Sequence, residues 1–112
     1  MKSFNKVQLL GHIGSNPIIQ EDESKTPFAR VSLCTTITTP SGEVTTWHRL
    51  VAFKGLLPIM QSFVKGDKLY VEGSITNTSY IDQDGVKKYS STIVIHHVHK
   101  VDRMRNNLNI QE

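Results

Sequence analysis

Cysteine is almost missing from this sequence: Cys34 stands alone among 112 residues, so one chain can form neither a disulfide framework nor a cysteine-based zinc site. A reducing, cytosolic compartment fits that usage. Long apolar runs are missing too, since no stretch approaches the roughly 20 residues of a membrane span. The opening MKSFNKVQLLGHIG has neither an apolar h-region nor a small-residue cleavage site, so neither membrane insertion nor export is expected. Internal repeats and low-complexity segments are absent, which excludes a solenoid or a linker protein. Also absent are a glycine-rich phosphate loop with its lysine, a G-x-S-x-G elbow, and any convincing Cys/His or Ser/His/Asp set. An enzyme is not expected. The adjacent carboxylates Glu21, Asp22 and Glu23 fall in a polar loop and cannot converge on two metals as carboxylates from separate strands do. Of the five histidines, His12, His48, His96, His97 and His99, only His97 and His99 share a strand face with one residue between them, and they lack a third ligand. Neither a metal nor another cofactor is expected.

What the chain does contain is enough for one domain. At 112 residues there is room for a single core, and 38% hydrophobic with 21% charged residues is the balance of a globular fold. The formal charge of +3 favours a polyanionic partner without requiring one. From Asn5 to Ile13, Val7, Leu9 and Ile13 alternate with polar positions as in a half-buried strand. The stretch GSNPIIQEDESKTP is rich in turn formers and reads as a loop. Phe28–Thr39 and Val44–Phe53 are β-branched strands around a turn at Pro40, Ser41 and Gly42. The period then changes: Leu56, Ile59, Met60 and Phe63 recur at helical spacing, with Pro58 tolerable in a first turn and Gly66 a plausible helix-ending residue. Lys68–Ile75, with Gly73 marking a bend or bulge, and Tyr89–Val98 complete the set, joined through the turn sequence DQDG. The expectation is an all-β domain over residues 1–102, followed by a short polar tail at 103–112. Five strands with one short helix between the third and fourth is the element order of the oligonucleotide-binding barrel, the OB-fold.

Such barrels hold single strands with a cationic groove and aromatic platforms for the bases. The candidate platforms are Trp47, Phe53 and Tyr80, and the candidate cations are Lys6, Arg49, Lys54, Lys65 and Lys88. Trp47 and Phe53 are six residues apart on one strand, so alternation puts them on one face with Arg49 and Val51. That face is either a stacking surface or the barrel core. His48, Leu50 and Ala52 on the opposite face offer the core an alternative.

Four segments, FNKVQLLGHIGSNP, TTWHRLVAFKGL, FVKGDKLYVEGSI and DQDGVKKYSSTIVI, resemble in order and spacing the core of the bacterial single-stranded-DNA-binding protein family, over about Phe4 to Ile95. The resemblance implies an OB-fold without enzymatic activity, usually a homotetramer around which single strands wrap in DNA replication, recombination or repair. By position it implies base stacking on Trp47, Phe53 and Tyr80, and basic contacts at Lys6, Lys54, Lys65 and Lys88. It also implies subunit contacts at His48 and near Tyr70. The departures matter as well. The loop Thr38–Thr46 is shorter than in well-known members and lacks a further stacking tryptophan, TNTS at Thr76–Ser79 replaces basic residues, and Tyr80 replaces a tryptophan. Weaker binding or a smaller site is expected. The sequence ends at NIQE without the acidic tip that recruits replication and repair partners in many bacterial members, so recruitment through that tip is not expected. A primosomal replication protein B-like restart protein, normally a dimer, is the nearest alternative, and a mitochondrial member is another. A protein-interaction module using the same barrel face is the alternative of a different class.

Overall fold

The computed structural model describes residues 2–22 and 25–101, so Glu23 and the expected tail at 103–112 lie outside the described residues. Alternation builds the sheet. In β1 (Val7–Ile13) Val7, Leu9, Gly11 and Ile13 turn inward while Gln8, Leu10 and His12 face out. The same period runs through β3 (Lys25–Thr39), where Ala29, Val31 and Leu33 are buried, and β4 (Gly42–Phe53), where Leu50 and Ala52 are buried. The long strands β5 (Lys68–Ile81) and β6 (Lys87–Lys100) follow. Successive side chains leave opposite faces of a strand, so one apolar set per strand suffices for a core.

The strands run β1-β5-β6-β4-β3, and a pairing of β1 with β3 at His12–Cys34 and Ile13–Leu33 closes them into a five-stranded barrel. All pairs are antiparallel except β4 with β6, where Leu50 meets Ile93 and Val51 meets Val94. Ile13, Leu33, Leu50, Leu69 and Val71 are fully buried at its centre. Between β4 and β5 the chain makes a 3-10 turn (Lys54–Leu56) and one short helix, α1 (Leu57–Gln61). Met60 and Phe63 insert from this segment into the core. Lys54 enters the turn at φ 36°, a left-handed conformation uncommon outside glycine.

Several sequence expectations are corrected. The segment expected to be a loop contains a sixth strand, β2 (Ile18–Asp22), which pairs with β3 outside the barrel. Glu21 and Asp22 therefore belong to a strand. The turn formers of that segment concentrate before it, and the β-branched pair Ile18–Ile19 finds the free edge of β3 opposite Arg30 and Ala29. The helix is shorter than the apolar spacing suggests: it ends at Gln61, Ser62 caps it, and Ile59 stays exposed. Gly66 adopts φ 94° in the following turn, where its N–H donates to the carbonyl of Ile13, and so does not end the helix. The fourth barrel strand continues past Ile75 to Ile81, because Thr76–Ser79 pairs in register with Thr92, Ser91, Ser90 and Tyr89 of β6. At Gly73 the ladder shifts register, and an added Cβ there would sit 2.0 Å from the carbonyl oxygen of Val94. The glycine permits that close approach.

Candidate nucleic-acid interface

The inward face of β4 is taken by Leu50 and Ala52, so the opposite face looks out. Trp47 is 59% exposed and Phe53 42%, with exposed Arg49 between them. These side chains are outside the core. The antiparallel register lays β3 alongside, pairing Phe28 with Phe53, Arg30 with Val51, Ser32 with Arg49 and Cys34 with Trp47. The outer surface of the two strands thus carries an aromatic pair at one end, a single indole at the other, and two guanidiniums between. Phe28 and Phe53 approach at 6.0 Å between ring centroids with a 46° tilt. In OB-folds the second and third barrel strands, here β3 and β4, form the ligand-binding face.

Trp47 lies against the backbone at the end of β1. A Cβ on Gly14 would come within 2.6 and 2.7 Å of its outer ring carbons, so only glycine leaves the indole this resting place. Arg49 is fixed from the other side, its Nη1 donating to Ser90 Oγ of β6 at 2.7 Å. Arg49 divides two concavities on this surface. One, of about 220 Å³, is bordered by Ser32, Trp47, His48, Arg49, Ser90 and Ser91. The other is bordered by Ser15, Arg30, Ser32 and Arg49.

The β5–β6 arm continues the surface. Val94 lies beside Val51, and alternation from Val94 puts Ser90 and Lys88 on the same side, with Tyr80 directly opposite Lys88. Tyr80 stands within the extended strand, 53% exposed. Lys88 lies 3.8 Å from Asp82. That aspartate organises the hairpin tip by accepting the N–H groups of Asp84 and Val86, an Asx-turn arrangement. Lys54 follows Phe53 directly, and Lys65 lies in the turn after α1 with its N–H donating to Asn16 Oδ1 at 2.7 Å.

Lys6 is not part of this group. It pairs with Glu72 at 3.6 Å, in a separate concavity with Phe4, His96 and His97. Tyr70, half-buried on β5, donates its hydroxyl to Glu72 and accepts from Gln8 Nε2, while its ring stacks on His99 at 6.4 Å. The Tyr70 hydroxyl holds the Glu72 carboxyl below its ordinary range, although burial opposes the shift, and Lys6 and Gln8 add to it. His48 points to the inward side, half-buried, with its Nε2 2.8 Å from Thr35 Oγ1. Burial lowers its pKa from the ordinary 6.5. Among the described residues no group of three or more His, Cys, Asp or Glu side chains could hold a metal ion.

Two residues of this surface escaped the sequence reading, Phe28 and Arg30. The signal was present, because Phe28, Arg30 and Ser32 alternate with buried Ala29, Val31 and Leu33. Placing them beside Phe53 and Arg49 required the strand register.

Fold and surface together describe a five-stranded OB barrel with an aromatic and cationic outer face. Residues 4–101 match the model of the Single-strand binding protein family, and the chain belongs to that family. Among curated relatives, Single-stranded DNA-binding protein 1 of Xylella fastidiosa is 35% identical, over 96% of this chain and 84% of that protein. The Single-stranded DNA-binding protein of Rickettsia prowazekii is 36% identical, over 97% of this chain and 80% of that protein. A mitochondrial relative from Danio rerio is 35% identical, over 83% of this chain and 73% of that protein. Among solved structures, a Plasmodium falciparum single-strand binding protein in complex with single-stranded DNA superposes with a TM-score of 0.83 at 24% identity. That match covers 91% of this chain and 98% of the other, and it supports the shared barrel. Among the described residues no helix is long and apolar enough to cross a membrane.

Proposed function

We propose that this protein binds single-stranded DNA with little regard to sequence and protects it during replication, recombination or repair in the cytoplasm, acting by binding and not by catalysis. The observation that carries this reading is the exposed row Trp47, Arg49, Phe53 on β4, on the ligand-binding face of an OB barrel. Bases stack on Trp47, Phe53 and Tyr80, while Arg49, Lys54, Lys65 and Lys88 contact phosphates. Stacking tolerates every base because each has a π-face, and among the described residues the one α-helix, α1, has five residues, too short to read a duplex groove. Lys6 serves a second stretch of the strand's path, partly offset by Glu72.

The protein acts as a homo-oligomer, a tetramer by family habit, with His48 and Tyr70 near the subunit contacts. Support comes from β1, which pairs with β3 only at His12 and Ile13. Its edge over Val7–Leu10 has no neighbouring strand among the described residues, and Leu10 is exposed beside Tyr70. Replication or restart proteins are the partners this role calls for.

Titration with oligo(dT), read through the single tryptophan, tests the reading. Quenching of Trp47 emission is expected, with affinity falling as salt rises by about 0.7 log units per log unit of salt for each phosphate contacted. Equal affinity for duplex, or a flat salt response, refutes it.

A further inference from the structure

We propose that the concavity between Arg30 and Arg49 is a phosphodiester subsite, and that Arg30, supplied by β3, draws the strand's backbone across from β4. The inference rests on the single-strand-binding reading above and adds to it a residue from β3, the strand beside the Trp47–Phe53 row. The cavity measures about 240 Å³ and is lined by Ser15, Ile18, Arg30, Val31, Ser32 and Arg49. Its polar lining residues are two arginines and two serines, and none of the lining residues is acidic. Guanidiniums present a planar fork of donors matched to two oxygens of one phosphate, and serine hydroxyls donate readily to a third. Two like charges bordering one concavity repel each other, and an anion between them converts that repulsion into attraction.

Position along the strand supplies the second argument. Trp47 and Phe53 are six residues apart, which at about 3.3 Å per residue is about 20 Å. Neighbouring stacked bases rise about 3.4 Å. Bases held on Trp47 and on Phe53 are therefore not stacking neighbours, and the phosphodiesters linking them must cross the ground between. That ground is Arg49, Val51 and, paired with Val51, Arg30. Ser90 tethers Arg49 on the β6 side, while Arg30 approaches from the β3 side. The strand's backbone is gripped from both flanks while its bases reach the aromatic ends. Phe28, against Phe53, widens the platform at which that path arrives.

The test compares wild type with Arg30→Gln and Arg30→Lys on a labelled oligo(dT) and on an abasic strand of equal length, by anisotropy at several salt concentrations. Arg30 is exposed, so the variants should melt as wild type does. The salt slope of Arg30→Gln is expected to be shallower by about 0.7, so that its deficit against wild type shrinks about 2.6-fold between about 50 and 200 mM salt. Arg30→Lys should recover the slope, and the abasic strand should show the same change, because the contact is to phosphate. A wild-type slope in Arg30→Gln, or a change seen only with bases present, overturns the subsite while leaving single-strand binding intact. Failure of wild type to bind oligo(dT) overturns both.

Discussion

Replacing Trp47 by alanine separates a stacking residue from a packing residue. Trp47 is 59% exposed, so about two fifths of its surface is sheltered, and its outer ring edge lies against Gly14. Taking about 200 Å² for a tryptophan side chain, that is about 80 Å². At about 25 cal/mol per Å² the truncation costs at most about 2 kcal/mol of stability. A core tryptophan would cost about 3–5 kcal/mol. Base stacking on an aromatic in single-strand binders of this type is worth about 1–3 kcal/mol per base. Trp47→Ala should therefore weaken oligo(dT) binding about 5- to 160-fold. The variant has no tryptophan, so affinity is read by anisotropy of a labelled oligonucleotide and stability by thermal melting followed by circular dichroism. A loss of affinity below about threefold, or a stability loss of core size with unchanged affinity per folded molecule, would refute the assignment of Trp47 to the interface.

Gly14→Ala should act on the same site without touching DNA. Its new Cβ displaces the outer edge of an exposed ring, so stability should change by less than about 1 kcal/mol while Trp47 emission and oligo(dT) affinity both shift; an unchanged emission spectrum would show that the indole does not rest there. His48 should make the fold acid-sensitive. Its folded pKa lies below 6.5, so the unfolded chain binds the proton more readily, and the stability this residue contributes is complete above about 6.5 and declines as pH falls toward the lowered value. Denaturant melts of His48→Gln should lack that part of the decline, and a light-scattering mass that falls on the same substitution would tie His48 to assembly as well.

The barrel strands were readable because half-buried strands expose their period. Val7, Leu9 and Ile13 in β1, and Leu50 and Ala52 in β4, alternate with polar neighbours, and alternation survives in any register. The helix was readable in kind but not in length, since Ile59 fits the apolar stripe and still faces solvent. β2 was hidden because five residues beside turn formers carry too little pattern, and only the open edge of β3 makes them a strand. For the candidate site, the sequence by itself determined that Trp47, Arg49 and Phe53 share a face, because that follows from a period of two on one chain segment. It left open whether that face looked inward or outward, since both faces of β4 carry apolar residues. Only closure of the barrel decided it, by committing Leu50 and Ala52 to the interior. The pairing of Arg30 and Phe28 with this row was likewise a tertiary decision. Register is a relation between two strands separated by a turn, and no property of either strand alone specifies it.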